Sequence, residues 1–172
     1  MLGLCRCHPV EPPPLELVIG PAAQDQRTFV PQTAIAEQII LPDRREIRLV
    51  FAEGVASCER YVAPEPGEAL VHVTIVGPPD KELGPDTYLA ARPTGKDETW
   101  VHPQAAYALA KVEWGSTNML LGPGGGVQLT AIDWQPHGTV QGTMSFEFPG
   151  DGKSPAASLR GRFIARGCQP HE

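Results

Sequence analysis

Residues 142–168, "GTMSFEFPGDGKSPAASLRGRFIARGC", decide the reading of this chain. In the first half Gly142, Met144, Phe146 and Phe148 alternate with Thr143, Ser145 and Glu147. In the second half Leu159, Gly161, Phe163 and Ala165 alternate with Arg160, Arg162, Ile164 and Arg166. A period of two sends successive side chains to opposite faces of a strand, so both halves predict strands with one face on a core and one in water. The Pro- and Gly-rich middle supplies the turn between them.

The same alternation recurs upstream. "GGVQLTAID" (125–133) sets Val127, Leu129 and Ala131 on one face, and "ALVHVTIV" (69–76) sets Val71, Val73 and Ile75 inward with His72 and Thr74 outward. "TAIAEQIIL" (33–41) and "EIRLVFA" (46–52) flank the turn "PDRR" and predict a hairpin, with Ile47, Leu49 and Phe51 sharing a face against Glu46 and Arg48. "LELVIG" (15–20), "DTYLAAR" (86–92) and "YALAKVEW" (107–114) are shorter strand candidates. Between the last two, "PTGKDETWVHPQ" (93–104) reads as a mobile surface loop. With 19 Pro and 18 Gly among 172 residues, long helices are disfavoured. About eight or nine strands at this spacing predict an all-β fold, a sandwich or a barrel; the expectation is a single antiparallel β-sandwich over 15–172. Residues 1–14, with Pro12, Pro13 and Pro14, read as a Pro-rich leader or tether.

Charge narrows the partners. A formal net charge of -6 argues against a nucleic-acid binder, which needs a basic footprint. No run of about 20 apolar residues could cross a bilayer as a helix.

Four cysteines divide into two kinds. Cys5 and Cys7 lie in the leader; Cys58 follows a strand and Cys168 ends the last one. A Cys58–Cys168 disulfide would enclose about 110 residues, worth roughly 4–5 kcal/mol on the loop-entropy argument, and would pin the final strand; the alternative is two buried thiols. A disulfide implies an oxidising compartment. The leader then reads as the end of an export signal and Cys5 as a lipid anchor, giving a periplasmic or envelope location. A genuine start at Met1 without a disulfide would give a cytoplasmic one. Cys5, Cys7 and His8 form a C-x-C-H cluster, but a leader offers no scaffold to orient metal ligands, and no metal is expected.

Little catalytic chemistry is legible. "GPGGG" (122–126) precedes a strand rather than a helix, which favours a flexible turn over a phosphate cradle. The histidines show no zinc-type spacing, and no cofactor is implied. Glu113 and Asp133 each precede a tryptophan, Trp114 and Trp134; with Trp100 on the loop, these five residues are the candidate ligand-binding set for a glycan. The competing reading has Trp114 and Trp134 closing the ends of the core. Arg160, Arg162 and Arg166 form a basic stripe, either paired with acids such as Glu147 or offered to an anionic partner.

"RTFVPQTAIA", "SCERY", "GPDTYLA" and "GGVQLTAI…GTVQGTMSFEF…SLRGRFIARGC" together resemble a group of uncharacterised exported proteins and lipoproteins abundant in myxobacteria. The resemblance spans residues 28–168 and is closest at Gly126–Thr130, Gly138–Phe148 and Gly161–Cys168. Asp86 departs from it, standing where a glycine would precede Thr87-Tyr88. It implies a β-sandwich at the cell envelope and brings no activity. The functional expectation is a non-catalytic binding or structural module of the bacterial envelope, partnered by a protein or glycan and touching the membrane only through Cys5. The alternatives are an inhibitor or immunity-type protein acting through residues 78–104, and a small carbohydrate-active enzyme using Glu113 or Asp133.

Overall fold

In the computed structural model, residues 13–20, 27–58, 68–91, 105–114, 117–120, 124–148 and 156–168 are described. Residues 1–12, with Cys5, and residues 93–104, with Trp100, lie outside them. Among the described residues there is no helix. Eleven strands lie among the described residues: β1 Glu16–Ile19, β2 Arg27–Phe29, β3 Thr33–Ile40, β4 Arg45–Ala52, β5 Ala69–Gly77, β6 Thr87–Leu89, β7 Tyr107–Trp114, β8 Thr117–Leu120, β9 Gly124–Ile132, β10 Thr139–Phe148 and β11 Ala157–Cys168.

They form one mixed sheet rather than two stacked ones. The ladder runs β6-β9-β10-β11-β3-β4-β5-β7-β8, with β1 on β11 and β2 on β1. Its two ends meet: Ala90, just beyond β6, bridges Ala108 of β7, Ala91 N donates to Ala108 O (3.0 Å), and Ala90 N donates to Gly125 O of β9 (2.9 Å). The sheet is therefore nearly barrel-shaped. The expected all-β fold is thus present among the described residues, while the expected sandwich is not confirmed. The purely antiparallel expectation is corrected, because β11 and β3 pair in parallel through Arg166↔Ile35, Gly167↔Ala36 and Cys168↔Glu37.

The alternation that predicted the strands fills the inside of this curled sheet. Phe51 of β4, Val71 and Val73 of β5, Val112 of β7, Phe146 of β10 and Leu159 of β11 all belong to one cluster and are fully buried. Each such large side chain contributes roughly 1.5–3 kcal/mol by leaving water, so the interior is a packed core. Phe51 and Phe163 meet across it edge to face, centroids 5.4 Å apart and planes at 77°.

β11 is the pivot. Along one edge it pairs with β10 from Thr139↔Arg166 to Phe148↔Ala157. Along the other it takes β1 first (Glu16↔Arg160 to Ile19↔Ala157) and β3 second. The change of partner falls beside Gly161, whose φ of 134° is one that only glycine adopts easily. A Cβ there would lie 2.3 Å from Pro14 O. Through this opening β1 docks and buries Leu15, Leu17 and Ile19 in the core, with Phe29 of β2 behind.

A second, smaller apolar cluster lies on the outer face: Ile35, Val50, Ala52, Leu70 and Cys168, with Ala56 and Cys58 packed on it. Residues 53–58 cross over β3 to reach β11. Thr33 Oγ1 donates to Gly54 O (2.8 Å), and Cys58 is disulfide-bonded to Cys168, their Cα atoms 5.4 Å apart.

Candidate functional site

The most organised polar group lies on the outer face of β4, β5 and β7. "RREIRL" (44–49) alternates as a strand must, so Glu46 and Arg48 share the outward face that Ile47 and Leu49 leave. Glu46 is nevertheless only 1% exposed, the one buried charged side chain among the described residues. Arg44 Nε donates to its Oε1 (2.5 Å) and Arg48 Nε to its Oε2 (2.9 Å), while Asp43 holds the other side of Arg44 (3.0 Å). The Glu46 hydrogen bond raises the Arg44 pKa, with burial working against it. Nearby, burial raises the Tyr107 pKa; Arg44 lowers it and Glu46 raises it. Both Glu46 oxygens are thus engaged by guanidinium groups, which makes it their shared counter-ion.

Next along the same face, His72 of β5 stands in register with Lys111 of β7. Lys111 Nζ lies 2.8 Å from Glu113 Oε1, and His72 Nε2 lies 3.9 Å from the same oxygen. Desolvation lowers the His72 pKa, Glu113 raises it, and Lys111 and Arg48 lower it further. The imidazole is therefore held towards its neutral form on a face carrying two cations.

Of the ligand-binding set read from the sequence, Glu113, Trp114, Asp133 and Trp134 fall on described elements. Glu113 is the partner of Lys111 on β7. Asp133 builds the β9–β10 turn: its Oδ1 accepts from Gln135 N (2.9 Å) and its own N–H donates to Thr139 O (2.9 Å). Travelling from Asp133 to Glu113 one way along the ladder crosses β10, β11, β3, β4 and β5; the other way, the two residues end antiparallel strands at opposite extremes. Trp134 is partly buried against the core, in line with a packing role. Trp114 ends β7 opposite Ala69 and Thr117, and Trp100 lies outside the described residues.

Two other sequence features take clear structural parts. Gly124–Gly126 already belongs to β9, not to a free turn, and a Cβ on Gly125 (φ 95°) would stand within the van der Waals shell of Ser145 O. The glycines let the backbone of β9 approach its neighbours closely. Cys58 and Cys168, predicted as a pair, are bonded. The Arg44–Glu46–Arg48 cluster was not singled out from sequence; its signal is three charges at alternate positions in a short strand-flanking run. Among the described residues no three His, Cys, Asp or Glu side chains come together as metal ligands. No protein-family model, curated protein or solved structure matches this chain.

Proposed function

We propose that this protein is a non-catalytic binding module of the bacterial cell envelope, working in an oxidising compartment and tethered by a lipid on Cys5. The observation that carries the reading is the Cys58–Cys168 bond, which joins the crossing segment 53–58 to the end of β11. Such a clamp is retained outside the reducing cytosol. The two acids that an enzyme reading would need act as an ion-pair partner (Glu113) and a turn former (Asp133), which favours binding over turnover.

Cell fractionation with thiol trapping tests the compartment. Cys58 and Cys168 should resist a maleimide until reduced, in protein recovered from the periplasm or outer envelope. Reactive thiols in cytosolic protein overturn the reading. Cys5→Ser should release the protein from the membrane fraction; an unchanged distribution removes the anchor but leaves the compartment standing.

A further inference from the structure

Ile35, Val50, Ala52 and Leu70 are apolar side chains on the outer face of the sheet. They alternate with Ala36, Leu49, Phe51 and Val71 of the interior, so they point outward, yet each is 7% exposed or less. Register joins them into one patch across β3, β4 and β5: Ile35 faces Val50, and Ala52 faces Leu70. Cys168 completes the patch, and Ala56 and Cys58 pack on it. The segment 53–58 is held there unevenly. At its root Thr33 Oγ1 donates to Gly54 O (2.8 Å), and Ala69 N donates to Glu53 Oε2 (2.9 Å). Further along, Ser57 makes one β-bridge and Cys58 carries the bond to Cys168. The segment's own apolar contribution is small, because Ala56 and Cys58 are short and Val55 is 82% exposed. Ordering this stretch of backbone works against so little buried area, and a covalent tie at its far end offsets that cost.

We propose that residues 53–58 are a redox-held cover. With the Cys58–Cys168 bond intact the patch is dry; reduction frees the cover and turns the patch into an exposed apolar face while the curled sheet stays folded. The reductant is a dithiol. One of its thiolates attacks the sulfur of Cys58, which is partly exposed, whereas Cys168 is only 4% exposed. The electron pair of the broken bond leaves on the Cys168 sulfur, which takes up a proton. The second thiol of the reductant then displaces the Cys58 sulfur, also protonated, by closing its own disulfide. Two electrons pass to the protein, leaving two thiols and one oxidised reductant. The cover needs the bond to form but neither the compartment nor the lipid tether, so protein oxidised in vitro tests it whatever cell fractionation gives.

Hydrogen exchange of the purified full chain, its bond verified by intact mass, is compared with and without dithiothreitol. Reduction should speed exchange at residues 55–58 at least tenfold, leave the paired amides of β4, β5 and β10 protected, and be reversed by reoxidation. The apolar dye anilinonaphthalenesulfonate should bind the reduced chain several-fold more than the oxidised one. Cys58→Ser with Cys168→Ser should reproduce both changes without reductant, and Val50→Thr added to that pair, which keeps the shape of the patch but makes it more polar, should lower the dye signal. The reduced unaltered chain gives the exchange result without any substitution. The proposal is overturned by unchanged exchange at residues 55–58, by a rise spread evenly over all strands, which would make the bond a staple of the whole sheet, or by equal dye binding in the two redox states.

Discussion

Cys168 occupies the last position of the only parallel ladder among the described residues, opposite Glu37, and its sulfur is bonded to Cys58 on the segment that crosses over β3. The covalent link thus lies at one of the short seams on which the curled sheet depends. Three residue pairs hold β11 to β3, whereas ten hold β11 to β10. Closing a loop with a sequence separation of 110 restricts the unfolded chain strongly. Reduction, or Cys58→Ala with Cys168→Ala, should therefore cost up to roughly 4–5 kcal/mol. Urea unfolding with and without reductant measures it, and an unchanged midpoint would mean that the noncovalent seam suffices.

The edge-to-face contact of Phe51 with Phe163 joins β4 to β11 through the middle of the core. Phe163→Ala should cost about 3–5 kcal/mol, as large cavities in cores do. A double-mutant cycle with Phe51→Leu and Phe163→Leu should leave a coupling of about 0.5–1.5 kcal/mol. Zero coupling would show that the rings contribute burial alone.

Gly161 decides where β11 changes partner. Alanine there would hold φ at 134° against its preference and press a methyl group on the Pro14 carbonyl. Strain of this kind costs of order 1–3 kcal/mol. Gly161→Ala should loosen β1 first, so hydrogen exchange should rise at Leu17 and Ile19 while the amides of β4 and β5 stay protected. A uniform rise over all strands would falsify this division of roles.

The strands were legible because alternation reports directly which residues are buried. Nine of the eleven described strands coincide with segments read from the sequence, and the short β2 and β8 do not. The closure was not legible, since an alternating strand carries the same pattern whether its apolar face meets a second sheet or the far wall of its own. What selects the barrel is pairing: β11 turning from β1 to β3, and Ala90 wedged between Ala108 and Gly125. Those contacts lie between residues far apart in the chain, and only the glycines hint at them. The separation of Glu113 from Asp133 was hidden for the same reason: a shared Glu/Asp-Trp pairing says nothing about distance around a barrel.

His72 gives the stability a pH dependence whose sign follows from its surroundings. Burial holds its folded pKa below the unfolded value of 6.5. In the window below 6.5 the unfolded chain then binds more protons than the folded one, so stability rises with pH. The contribution is complete above 6.5 and is lost as pH falls through the folded value. His72→Gln should flatten the dependence of the unfolding midpoint between pH 7.5 and the acid range, relative to the unaltered chain. Parallel profiles for the two proteins would exclude His72 as the group responsible.

Glu46 provides the sharpest test of the outer-face cluster. Its carboxylate is buried, yet both of its arginines reach outward, Arg44 at 19% side-chain exposure and Arg48 at 43%. Glu46→Gln keeps the shape and removes the charge, so the two guanidinium groups lose the carboxylate they share while Arg44 retains Asp43. Breaking a fully buried pair costs roughly 3–5 kcal/mol, and solvent at Arg48 should hold the loss towards the lower end. Replacing Arg48 by Met in the Glu46→Gln background should then recover part of the stability, because it removes a cation that has lost that carboxylate. If the triple set of charges were only a solvated surface pair, Glu46→Gln would shift the midpoint by no more than an exposed ion pair does, about 0–1 kcal/mol, and the second substitution would recover nothing.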